Sequence, residues 1–202
     1  MTRIKFCGLK TLDDIYAANE ILPEYVGFVF APKSKRYITP AQAEKLRGAL
    51  SEKICAVGVF VNEKISTVAE LLNAGIIDAA QLHGDEDDGY IKNLHALSDK
   101  LIIKAFKIEE IEKLVPSSQF LVPILIDAGA GDGKVFDWSL LKDFRREYFL
   151  AGGLNPENVG AAIELLHPFA VDVSSGIETD GRKDFGKMVT FAKVVRGLES
   201  RK

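Results

Sequence analysis

Short apolar runs alternate with amphipathic stretches along the whole chain. Runs rich in Val, Ile, Leu and Phe recur about every 20 to 30 residues, each followed by a helical pattern, eight times in 202 residues. The runs at 3–7, 25–30, 54–61, 79–82, 101–106, 122–127, 148–151 and 169–173 predict eight strands. Helical patterns begin near Leu12, after Thr39-Pro40, after Asn62, near Asp87 and at Asn155-Pro156, and a last one spans 185–197. A short helix is expected at 109–114 and another at 138–144. Thr39 reads as an N-cap with Pro40 at the first helical position, and Asn62 as the cap of the third helix. Strands this apolar on both faces fit a parallel sheet covered by helices. Eight strand–helix pairs predict an α/β chain, a single-domain (β/α)8 TIM barrel over 1–202, with chemistry gathered at the C-terminal strand tips. The rival is an open doubly wound sheet. It usually carries a GxGxxG turn after the first strand, and Cys7-Gly8-Leu9-Lys10 does not match.

Within the first strand the polar positions are informative. Residues two apart share a face, so Arg3, Lys5 and Cys7 point one way while Ile4 and Phe6 point the other. Two cations and a thiol pack poorly against helices, which places them in the barrel interior. Cys7 then stands at a strand tip, with Lys5 one layer beneath, where it would favour the thiolate. A lone cysteine is more often a small core residue; the strand-tip position is what marks Cys7. Cys55, at the opposite end of its strand, reads as core. Asp127 ends an otherwise apolar strand. The Gly-rich stretch Ala128 to Lys134 follows it, suited to a lid that would keep a carboxyl shielded from water and protonated.

Two glycine turns, Gly152-Gly153 after the seventh strand and Ser174-Ser175-Gly176 after the eighth, stand where such barrels commonly bind phosphate. A short helix is expected after Gly176. Arg36, in the basic loop after the second strand, has the fork geometry to grip a carboxylate. Gln81 and His83 share a face after the fourth strand, and His83 is the rival general base. Asp172 should face inward on the eighth strand and pair with Lys5 or Arg3.

Bulk properties narrow the functional classes. A formal net charge of -3 argues against nucleic acid or an anionic membrane as partner. No apolar run approaches the ~20 residues of a membrane span, and the start of the chain lacks a signal-peptide pattern. Two cysteines form neither a disulfide framework nor a metal motif. A cytoplasmic location is the default expectation.

Several motifs together resemble phosphoribosylanthranilate isomerases: Lys5-Phe6-Cys7-Gly8-Leu9, Gly27-Phe28-Val29-Phe30, Ser34-Lys35-Arg36-Tyr37-Ile38, Gln81-Leu82-His83-Gly84, the stretch from Ala151 to Val159, and Val171-Asp172-Val173-Ser174-Ser175-Gly176-Ile177-Glu178. The similarity runs end to end. It implies an Amadori rearrangement of N-(5-phosphoribosyl)anthranilate in tryptophan biosynthesis, without metal or coenzyme, in a monomer or homodimer that takes a small phosphosugar. It further implies Cys7 as general base, Asp127 as general acid and Arg36 as partner of the anthranilate carboxylate. The stretch Ala130-Gly131-Asp132-Gly133-Lys134 is shorter than the family's usual lid pattern, and Thr179 to Lys183 matches only loosely. Three alternatives stand beside this reading. A non-catalytic phosphosugar-binding barrel would need neither Cys7 nor Asp127. Indole-glycerol phosphate synthase would need a lysine at the first strand tip. A histidine-pathway aminoaldose isomerase carries aspartate where this chain has Cys7.

Overall fold

The computed structural model describes residues 2–110, 122–127, 138–142 and 144–198. Eight parallel strands close into a barrel in sequence order. They are β1 (Arg3–Cys7), β2 (Tyr25–Val29), β3 (Cys55–Phe60), β4 (Ala79–Leu82), β5 (Leu101–Lys107), β6 (Ile124–Asp127), β7 (Tyr148–Ala151) and β8 (Ala170–Val173). Six α-helices are described: α1 (Leu12–Ile21), α2 (Pro40–Ala49), α3 (Ile65–Asn73), α4 (Asp88–His95), α5 (Val159–Leu166) and α6 (Phe185–Gly197). None is long and apolar enough to cross a membrane. A two-residue hairpin, β9 (Glu178–Thr179) with β10 (Arg182–Lys183), lies between β8 and α6.

The alternation along each strand builds two separate apolar regions. Outward residues such as Ile4, Phe6, Val26 and Phe28 pack against the helices. Inward residues fill the barrel in layers. Val57, Ile103, Leu125 and Phe149 belong to a lower cluster, and Cys7, Val29 and Val59 to an upper one at the strand tips. Closure pairs β1 with β8, Lys5 lying opposite Asp172. The two side chains meet across that seam, with Lys5 Nζ donating to Asp172 Oδ2 at 2.9 Å. Arg3 lies at the other rim, its guanidinium over the Phe169 ring.

Helix starts follow local capping chemistry. Thr39 caps α2 through a reciprocal box with Gln42, and Thr11 caps α1 in the same way with Asp14. Asp87 caps α4 by accepting from the Tyr90 amide. The expected Asn62 cap is corrected: Lys64 occupies that position in α3, without a side-chain cap bond. Asn62 instead turns left-handed (φ 53°) and fastens the β3 and β4 loops, its Oδ1 accepting from the Asp85 amide and its Nδ2 donating to Asp85 Oδ2. Asn155-Pro156 does not open α5 directly. The Asn155 carboxamide oxygen accepts from the Glu157 and Asn158 amides, making a turn that delivers Asn158 as the cap. The helix expected at 138–144 is one 3-10 turn, Trp138–Leu141. That expected at 109–114 shows a 3-10 turn at 108–110, and 111–114 lie outside the described residues. The short helix expected after Gly176 is a 3-10 turn over Ser175–Ile177.

Candidate active site

The C-terminal mouth of the barrel holds a cavity of about 270 Å³. Inward-facing strand positions supply its floor: Cys7 from β1, Gln81 from β4, Asp127 from β6 and Asp172 from β8. Loops complete it: Arg36 and His83 come from the loops after β2 and β4, and Gly152, Gly153, Ser174 and Ser175 from the turns after β7 and β8. Gly176 is outside the lining but sets how closely the two glycine turns approach. A Cβ there would overlap the Leu154 carbonyl oxygen and lie 2.9 Å from Asn155 Cα. Only glycine lets the β8 turn press against the β7 turn, where Gly152 and Gly153 both adopt positive φ. The lid expected over Asp127, residues 128–134, lies outside the described residues.

Cys7 is buried, and the charges around it oppose one another. Burial pushes its thiol above the ordinary value, and that effect outweighs Lys5, which pulls it down; Asp172 pushes it up again. Lys5 acts in the expected direction, but desolvation is larger, and part of its charge is answered by Asp172. Burial likewise penalises the Lys5 ammonium, yet Asp172 and Cys7 together leave its pKa raised, so it stays charged.

Across the cavity, the Gln81 amide Nε2 donates to His83 Nδ1 at 2.9 Å. Nδ1 then accepts, which puts the ring proton on Nε2, and Nε2 faces Asp127 Oδ2 at 3.4 Å. Two buried acceptors of the lining, Gln81 Oε1 and Asp172 Oδ1, have no hydrogen-bond partner among the described residues. Each such orphan costs roughly 1–3 kcal/mol unless a ligand or water meets it.

Arg36 reaches the cavity with one edge of its fork engaged. Nε and Nη2 donate to the two oxygens of Glu178, both at 2.7 Å. Glu178 also accepts from Lys183 Nζ at 2.7 Å, and Lys183 donates to the Ser174 carbonyl at 2.9 Å. Neither Glu178 nor Lys183 was singled out from the sequence. The signal available was the two-residue spacing of Glu178 from Gly176, and nothing in a short polar hairpin marks Lys183 as buried. Among the described residues, no group of three or more His, Cys, Asp or Glu side chains is arranged to hold a metal ion.

Residues 4–194 match the family model for N-(5'phosphoribosyl)anthranilate (PRA) isomerase. The chain belongs to this family. An N-(5'-phosphoribosyl)anthranilate isomerase from Endomicrobium trichonymphae is 42% identical over 204 residues, covering 98% of this chain and all of the relative. The crystal structure of phosphoribosyl anthranilate isomerase from Thermotoga maritima superposes with a TM-score of 0.88 at 40% identity, covering 98% of this chain and all of that one. A phosphoribosyl anthranilate isomerase in complex with reduced 1-(o-carboxyphenylamino)-1-deoxyribulose 5-phosphate superposes at 0.85, also with 40% identity and the same coverage. The isomerase family's barrel is thus shared from end to end.

Proposed function

We propose that the cavity carries out the Amadori rearrangement of N-(5-phosphoribosyl)anthranilate to 1-(2-carboxyphenylamino)-1-deoxyribulose 5-phosphate, a step of tryptophan biosynthesis. The observation that carries this reading is the placement of Cys7 and Asp127 on one cavity that Arg36 and the paired glycine turns also line. The same likeness extends to a family structure that holds the reduced product analogue. The ligand's two anionic ends then have two receptors. Its phosphate lies against the backbone amides of the β7 and β8 turns, and its carboxylate meets the second edge of the Arg36 guanidinium, formed by Nη1 and Nη2. The sugar hydroxyls supply donors for the orphan oxygens of Gln81 and Asp172.

The chemistry is a pair of proton transfers. Asp127 gives its proton to the furanose ring oxygen as the bond from that oxygen to C1 breaks, leaving a cationic imine. The Cys7 thiolate takes the proton from C2, and the released electron pair forms the C1–C2 double bond and neutralises the nitrogen. Tautomerisation of that enol to the ketone moves the hydroxyl proton off oxygen and places one on C1. Atoms and charge balance, and no oxidant or reductant enters. Phosphate held far from C1 and C2 contributes binding energy that aligns the reacting atoms. One barrel domain over 1–202 suffices for all these parts.

A fluorescence assay that follows loss of phosphoribosylanthranilate tests the reading. Cys7→Ala should lose at least about 10²-fold in turnover, the lower range for a general base, with folding retained because the residue is small and at a strand tip. Near-native turnover in that variant would transfer the base to His83.

A further inference from the structure

The cation and anion groups around Arg36 form a continuous chain along the β8, β1 and β2 side of the barrel mouth. Arg36 is fixed to Glu178 by two bonds of 2.7 Å, and Glu178 to Lys183 by one of 2.7 Å. Lys183 is fixed to the Ser174 carbonyl at 2.9 Å, and the Ser174 hydroxyl donates to the Cys7 carbonyl at 3.0 Å. Glu178 and Lys183 face each other in the β9–β10 hairpin. Their side chains are 11% and 3% exposed, so the bonds are shielded from competing water. Arg36 is the more open member at 29%.

A guanidinium has two edges that can grip a carboxylate side on. An arginine on a loop is otherwise free to rotate both edges among many rotamers, and ordering it on binding costs affinity. Here the Nε/Nη2 edge is already held. The charge count also matches a single incoming carboxylate: two cations and one carboxylate leave a unit positive charge. We infer that Glu178, braced by Lys183, is a positioning residue that fixes the orientation of Arg36 and so determines selectivity for a substrate carrying an aromatic carboxylate. Through Lys183 and Ser174 the same brace ties the carboxylate subsite to the β8 turn. The inference rests on the reading of Arg36 given above, in which its outer edge meets the substrate carboxylate.

The test compares two probes on each protein by calorimetry. One is reduced 1-(o-carboxyphenylamino)-1-deoxyribulose 5-phosphate, and the other is its counterpart with hydrogen in place of the carboxylate. The ratio of the two dissociation constants is read for the unaltered protein, Glu178→Gln and Arg36→Ala. A ratio is used because partial loss of folding lowers the number of sites without changing either constant. The unaltered protein should prefer the carboxylate probe, Arg36→Ala should abolish the preference, and Glu178→Gln should reduce it about tenfold or more. The loss in Glu178→Gln is expected even though that change makes the site more positive, which by charge alone would favour the anion. A preference unchanged or increased in Glu178→Gln, but lost in Arg36→Ala, would overturn the positioning role and leave the Arg36 reading intact. Equal binding of both probes by the unaltered protein would overturn both.

Discussion

Lys5 Nζ lies 2.9 Å from Asp172 Oδ2 across the seam where β1 meets β8, with Lys5 fully buried. The pair does two things at once. It closes the barrel with a charge-assisted bond, and it places a cation and an anion directly beneath the Cys7 thiol. Removing Lys5 leaves the Asp172 carboxylate without its counter-charge at the cavity floor, and removing Asp172 leaves the Lys5 ammonium uncompensated in the barrel interior, whereas removing both leaves neither.

Lys5→Met should therefore destabilise the fold by about 3–5 kcal/mol, the usual cost of breaking a buried pair. The double variant Lys5→Met/Asp172→Asn should recover most of that loss. Urea unfolding of the two singles and the double forms a mutant cycle that isolates the coupling. If the single Lys5→Met proves as stable as the unaltered protein, the seam does not depend on the pair.

The double variant also reports on Cys7. Burial already holds this thiol above its ordinary value, and Lys5 lowers it more than Asp172 raises it. Loss of both charges should thus raise it further. The measurement is the rate of alkylation by iodoacetamide against pH, in a Cys55→Ala background, since Cys55 is itself pushed up to about 12 by burial. The midpoint for Cys7 should lie above the free-thiol value of about 8.5 and move upward again in the double variant. A midpoint at or below that of a free thiol would show that Lys5 dominates after all.

How much of this was legible in the sequence depends on which physical rule fixed each feature. Alternation directs Lys5, Cys7 and Asp172 inward, as they stand, whereas Arg3 of the same strand face ends exposed at the rim. Periodicity also found the helices, but not how they begin where a turn intervenes, as at Asn155 and Asn62. The sign of the Cys7 shift was beyond reach because it balances burial against charge, and burial is a property of packing. The Glu178–Lys183 brace was missed because a two-residue hairpin has no period to read.

The approach of the two glycine turns gives a third expectation. A methyl group at Gly176 would run into the backbone of Leu154 and Asn155, which cannot swing away as a side chain could. Gly176→Ala should cost about 1–3 kcal/mol of stability, as overpacking does. It should also part the turns and weaken the reduced phosphorylated analogue by about tenfold or more, while its dephosphorylated counterpart binds as before. Calorimetry with the two ligands checks this, and equal weakening of both would place the damage outside the phosphate site.

Glu178 gives a prediction in acid. Burial works against its carboxylate, but hydrogen bonds from Arg36 and Lys183 outweigh burial and hold its pKa down at about 2. In the unfolded chain a glutamate titrates near 4.3. A group whose folded pKa is depressed contributes stability that is fully present above the unfolded value and is lost as pH falls through the folded one. Glu178→Gln has no such proton to take up. It should be less stable than the unaltered protein near neutral pH, and the gap should close as pH falls from about 4.3 toward 2. Every other carboxylate titrates in both proteins, so the difference isolates this one. Urea midpoints measured in steps from pH 6 to pH 2.5 make the comparison, at low salt because salt would screen Arg36, the most open member of the cluster. A gap that stays constant down to pH 2.5 would mean that Glu178 is not held ionised by its two cations, and the brace on Arg36 would lose its electrostatic basis.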